Sequence, residues 1–271
     1  MKNRIVIYCA LLTLVSASLV TSFALNQTAG DKEAWVHHVS LQVQTDKKSY
    51  LPGELVTLAF KLSNTSEAAV SVPRAISVEQ QYIRVFVADE SGEYREYIGP
   101  GWGTADVVNN ASVELAPGGS IEYSATMLHN HRVETSHLSE LAAAQASKGR
   151  LTTTYALPQP GTYFIKAAVY DVNFANKVES NPVKVNIEEP EGADLEVWNR
   201  IKDDGDYALF LQTGNLVERP NGPKTKNIEA NLKELEGQNP TSRYAAGIRS
   251  AISKRNMILE KVKNSRRASQ N

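Results

Sequence analysis

Along residues 39–43, and again along 56–62, apolar and polar positions alternate with a period of two. Val39, Leu41 and Val43 share one side, and Val56, Leu58, Phe60 and Leu62 repeat the arrangement with Thr57, Ala59 and Lys61 opposite. That period marks strands with one buried face. Tyr50, Leu51, Pro52 and Gly53 stand between them as a turn, because proline presets φ and glycine accepts φ > 0. Further on, Ile83, Val85 and Val87 alternate with Arg84, Phe86 and Ala88, and Asp89-Glu90-Ser91-Gly92 turns the chain into a partner strand over 94–98. Ala69 to Pro73 reads as a short edge segment, since proline donates nothing to a ladder.

The alternation continues after the Pro117-Gly118-Gly119 turn as Ile121, Tyr123, Ala125 and Met127. Two more strands are predicted over 163–170 and at Val183, Val185 and Ile187. Tyr163, two residues after Gly161 at a strand start, fits a tyrosine corner, in which the hydroxyl pins a loop to a sandwich. Between Arg132 and Lys148 the period changes, and Ser136 caps a predicted helical insertion through Leu138, Leu141 and Ala146.

Beyond Pro190-Glu191-Gly192 the period becomes helical. Leu195, Trp198 and Ile201 form one face, and Gly205 breaks the helix before Tyr207, Leu209 and Phe210. A second helix carries Ile228, Leu232 and Leu235 and closes at Gly237. A third, starting at Asn239-Pro240-Thr241-Ser242, presents Tyr244, Ile248, Ile252, Ile258 and Val262. The fold class expected is mainly β: an antiparallel β-sandwich with a helical insertion, followed by a small α-helical C-terminal domain.

The N-terminus changes the picture of where this chain works. Lys2 and Arg4 precede an apolar run from Ile5 to Val20 and the small-residue pattern Ser22-Phe23-Ala24, the order of a secretory signal peptide. The boundaries read from the chain are a signal peptide over 1–24, a flexible leader over 25–37, a sandwich over 38–190, a helical region over 191–265 and a disordered tail over 266–271. Cys9 is the single cysteine and lies inside the apolar run, so the exported chain carries neither disulfide nor thiol chemistry. The short basic leader is of a bacterial kind, so the expected location is the periplasm or the exterior, with no stable membrane span after cleavage.

The formal net charge of −1 conceals a division. Residues 25–190 hold 13 basic and 19 acidic residues, and residues 191–223 hold 3 and 7. Residues 224–271 reverse the sign, with 11 basic and 4 acidic. An acidic body therefore carries a basic tail. Export argues against nucleic acid as its partner.

Five short stretches resemble known families. Tyr50-Leu51-Pro52-Gly53-Glu54 resembles the strand start of bacterial immunoglobulin-like and macroglobulin-type domains. With Asp89-Glu90-Ser91-Gly92, Leu115-Ala116-Pro117-Gly118-Gly119 and Pro160-Gly161-Thr162-Tyr163, it follows the order of small immunoglobulin-like domains, among them the BsuPI-type proteinase inhibitors. That resemblance implies an immunoglobulin-like sandwich over roughly 39–187 and, as an alternative to non-catalytic binding in the cell envelope, a secreted proteinase inhibitor. Asn239-Pro240-Thr241-Ser242-Arg243-Tyr244-Ala245 resembles a helix start of tetratricopeptide-like hairpins.

Candidate chemistry is sparse. His129 and His131 share a face if the strand continues, and with His137 they form a candidate Zn²⁺ or Cu²⁺ set, with Glu134 or Glu140 as a fourth ligand. Asp203-Asp204-Gly205-Asp206 lacks the alternating ligands of a calcium loop and reads as acidic capping at a helix break. No nucleophile elbow and no phosphate-cradling glycine loop is present. No enzyme activity and no cofactor are expected. Trp102, flanked by glycines, with Tyr94 and Tyr97 nearby, is the candidate aromatic platform for a protein or glycan partner in the cell envelope.

Overall fold

The structure, a computed structural model, describes residues 35–74, 76–78, 82–101, 112–130, 154–171, 176–216 and 221–269. A four-residue 3-10 turn, Trp35–His38, leads into strand β1 (Val39–Thr45). There follow β2 (Ser49–Tyr50), β3 (Val56–Asn64), β4 (Val70–Pro73), β5 (Ile83–Ala88) and β6 (Arg95–Tyr97). The set closes with β7 (Ser112–Leu115), β8 (Ser120–Met127), β9 (Gly161–Tyr170), β10 (Lys177–Glu179) and β11 (Val183–Ile187). Helices α1 (Gly192–Ile201), α2 (Gly205–Thr213), α3 (Pro223–Gln238) and α4 (Tyr244–Ala268) complete the chain.

Two sheets face each other. One runs β1-β3-β8, antiparallel, with Leu41 opposite Leu62 and Leu62 opposite Ile121. The other runs β2-β11-β9-β5-β6, with β10 also paired to β9. All its pairings are antiparallel except β2 with β11. A small β4-β7 pair stands apart. The alternation of β3 does what its sequence predicts: Val56, Leu58, Phe60 and Leu62 are all buried, and they meet Val85, Ile165, Ala167 and Val185 in one core. Each such side chain contributes about 1.5–3 kcal/mol by leaving water.

Two tyrosines tie loops to this sandwich. The Tyr50 hydroxyl donates to Asp46 Oδ1 at 2.8 Å and accepts from the Lys47 amide at 2.9 Å, fixing the turn before β3. Tyr163, half-buried at the start of β9, has a backbone hydrogen bond with Gln159 four residues upstream.

Several expectations need correction. Of the described residues 33% are strand and 34% helix, so the molecule is mixed rather than mainly β. The helical part is as large as the sandwich strands because α3 and α4 run 16 and 25 residues. The leader ends earlier than residue 37, since Val36 is buried and Trp35 packs on the sandwich core; residues before 35 lie outside the described residues. His37 and His38 end the 3-10 turn, and β1 begins at Val39. Gly237 lies inside α3 instead of closing it. The tail is helical through Ala268, with Arg266 and Arg267 in the last turn where cations complement the helix dipole. Leu195 is exposed, and α1 buries Val197 and Ile201. The insertion expected over 132–148 lies outside the described residues.

The helices do not form a core of their own. Leu51, Leu128 and Tyr155 of the sandwich join Val197, Ile201, Phe210, Leu232, Tyr244 and Ile248 in a single cluster. The sandwich and the helices therefore share apolar surface.

Candidate functional site

The seam between sandwich and helices is closed by polar groups of exact fit. Gln212 of α2, 6% exposed, donates from Nε2 to the Thr126 carbonyl at 2.6 Å and accepts at Oε1 from the His129 amide at 2.8 Å. The Tyr97 hydroxyl donates to the His129 carbonyl at 2.9 Å and accepts from the Leu128 amide at 3.1 Å. Tyr155 donates to the Ile201 carbonyl at 2.7 Å, and Tyr244 to the Pro52 carbonyl at 2.6 Å. Burial pushes the Tyr97, Tyr155 and Tyr244 phenols well above their ordinary pKa. Arg243 spans the same seam, reaching Glu188 at 2.5 Å and Glu54 at 3.2 Å.

Gly53 permits the approach. Its φ of +71° belongs to the left-handed region, and a Cβ there would collide with the Trp198 ring and stand 3.1 Å from Tyr155 Cε1. Trp198 and Tyr155 meet edge to face at 5.2 Å.

Above this seam lies the free side of β8. The carbonyl of Thr57 accepts from the Asp46 amide, and the Thr57 amide donates to Asp46 Oδ1 at 2.7 Å, so both groups point away from β8. Thr126, opposite Thr57, therefore turns its own backbone groups outward, where Gln212 takes the carbonyl. Backbone direction alternates along a strand, so Ser120, Glu122 and Ser124 present N–H and C=O to the same side. Among the described residues no strand pairs with that side.

Beside this edge the two sheets part. A groove of about 330 Å³ is floored by Leu41, Phe60, Leu62, Ile76, Ile83 and Ile121, with Arg74 and Glu122 at its mouth. Glu122 is 74% exposed and 3.9 Å from Lys61. The arrangement is a strip of backbone donors and acceptors running along an apolar slot. Chemically it can hold an extended peptide; it has no constellation for bond making or breaking among the described residues.

Of the predicted platform, the described residues place Tyr94 and Tyr97 on opposite faces of their sheet. Tyr97 is 1% exposed and is a core and seam residue, because it faces inward opposite Val85. Tyr94 lies on the other face, its ring 4.6 Å from Lys166 Nζ. Trp102 lies outside the described residues, as do His131 and His137. His129 is half-buried and engaged through its backbone, bridging to Tyr155. No group of three or more His, Cys, Asp or Glu placed to hold a metal occurs among the described residues. Asp204 caps α2 by accepting from the Asp206 amide at 2.9 Å, in keeping with the capping reading.

No sequence-family profile matches this chain, and no curated protein matches it. Among solved structures, the sporulation control protein Spo0M from Bacillus subtilis is similar at 11% identity, covering 61% of this chain and 55% of its own, with a TM-score of 0.29. A CARDB domain from Pyrococcus furiosus, in complex with di-metal ions, shares 13% identity over 55% of this chain and 87% of its own, with a TM-score of 0.27. A β-glucosidase from Erythrobacter marinus shares 13% over 55% of this chain and 15% of its own, at 0.27. The chain thus spans about half of the first and a small part of the glucosidase. The description as a β-sandwich rests on the pairings and the shared core above.

Proposed function

We propose that this chain is an exported, non-catalytic binding protein of the cell envelope that captures an extended segment of a protein partner along the free side of β8. The observation that carries the reading is the outward backbone of Ser120, Glu122 and Ser124 beside the apolar groove. A strand added there gains main-chain hydrogen bonds, and its alternate side chains enter the slot, which is how sheet-edge recognition combines affinity with selectivity. The immunoglobulin-like sandwich supplies the edge, and the helical unit, whatever its kinship to tetratricopeptide-like hairpins, caps its lower end through Gln212. Export rests on the leader over 1–24. The inhibitor and metal readings have no observation among the described residues in their favour.

The test is affinity capture from an envelope fraction with the full chain and with Ser124→Pro. Proline on an edge whose N–H faces outward leaves the inner ladder intact. The expected result is loss of the captured protein with Ser124→Pro and its retention with Tyr94→Ala. Capture unchanged by Ser124→Pro would place recognition elsewhere. Slowed amide exchange at Ser120, Glu122 and Ser124 in the complex identifies strand addition directly.

A further inference from the structure

Helix α4 is two different objects. Its buried residues, Tyr244, Ala245, Ile248, Ala251 and Arg255, all lie in its first half. From Asn256 to Ala268 no residue is buried, and this half runs about 20 Å at 1.5 Å per residue. The apolar stripe nevertheless continues at helical spacing. Ile258, Leu259 and Val262 follow Ile248, Ala251 and Arg255 on the same side and are half-buried, and Met257 is 56% exposed.

Charge divides the helices at the same point. Cations nearer the core are engaged: Lys233 with Glu229, Arg249 with Glu236, Arg243 with Glu188, and Lys254 with the Gln212 carbonyl. Lys261, Lys263, Arg266 and Arg267 form no ion pair among the described residues, and Glu260 is the one carboxylate among them. A helix with a narrow apolar stripe flanked by unpaired cations has the pattern of one lying in a lipid headgroup layer.

We infer that the second half of α4 docks on an anionic phospholipid surface. Leu259 and Val262 sink toward the acyl boundary while Lys261, Lys263, Arg266 and Arg267 meet the phosphates. The rest of the chain sharpens this choice. Residues 25–223 carry 16 basic against 26 acidic residues, so an anionic bilayer repels the body while attracting the tail, and the molecule approaches tail first. Tail-to-tail pairing of two copies would set one cationic helix against another, which charge disfavours. The inference is independent of strand capture at β8, which lies on another element.

The experiment is sedimentation of the full chain with vesicles of phosphatidylglycerol and phosphatidylcholine, compared with pure phosphatidylcholine, over a salt series. The readout is the change in the ratio of anionic to neutral binding between wild type and variants, to which the leader with Lys2 and Arg4 contributes equally. Each cation changed to glutamine is expected to lower the ratio about fivefold at low salt. Raising the salt weakens binding in parallel. Leu259→Ser with Val262→Ser lowers it further and leaves the salt dependence in place. These positions lie outside the shared core, so thermal melting of the variants stays at the wild-type value. A ratio near one, or one unmoved by replacing all four cations, would overturn the proposal. So would vesicle-independent association through this helix in light scattering.

Discussion

Gly53 holds two jobs in one position: it turns the chain at positive φ, and it leaves room for Trp198 against the sandwich. Gly53→Ala should cost about 2 kcal/mol or more, from backbone strain plus a forced shift of the indole. Urea denaturation followed by tryptophan fluorescence measures it. Gln212 makes a different kind of demand, since one amide side chain satisfies the Thr126 carbonyl and the His129 amide. Gln212→Leu keeps the volume but strands those groups in a dry seam, at about 1–3 kcal/mol for each group left unpaired. If denaturation of Gln212→Leu matches wild type, water reaches the seam and the side chain is dispensable. Neither residue announces itself in the sequence. Gly53 reads there as an ordinary turn glycine, and a glutamine inside a helix carries no periodicity that names its distant partners.

Strand β8 allows a finer test of direction. Ser124→Pro removes an outward N–H, whereas Ala125→Pro removes one that bonds β3, so the second should unfold the sandwich and the first should not. Circular dichroism melts of the two variants decide whether the register is right. The strands themselves were legible where alternation ran for four or more residues, as in β1, β3, β5, β8 and β11. The two-residue β2 and the three-residue β10 were not, because so short a piece has no period and forms only by pairing with β11 and β9. The pairing of Tyr94 with Tyr97 on one surface fails for a related reason. Tyr94 and Tyr97 are neighbours in sequence, but three positions along an extended chain put them on opposite faces. The free side of β8 was also invisible: sequence shows which side chains point inward, not which flank of a strand lacks a neighbour.

At the scale of the molecule the shared cluster makes the sandwich and helices interdependent. A chain ending at Pro190 would bare Leu51, Leu128 and Tyr155, and it should melt lower and aggregate relative to the full chain, as static light scattering on heating would show. Alkali tests the same seam. The phenols of Tyr97, Tyr155 and Tyr244 have folded pKa values raised above their unfolded ones, so their stabilisation is complete below about pH 10. It declines as the pH climbs beyond that point, because only the unfolded chain ionises them. The ultraviolet signal of these tyrosinates should therefore appear together with unfolding. If they titrate at about pH 10 in a chain still folded by circular dichroism, the seam is wet. One small feature reaches further than its size. Beyond β8 the Asn130 amide donates to the Thr154 carbonyl at 2.8 Å and the Ala156 amide to the Leu128 carbonyl at 2.8 Å, a two-rung clasp across the base of residues 131–153. With the ends already joined, doubling the length of chain between them costs about 0.6 kcal/mol in loop closure. Foreign sequence entering between Asn130 and Thr154 would meet a gate whose posts are already fixed, because two hydrogen bonds hold its ends together before any insert arrives.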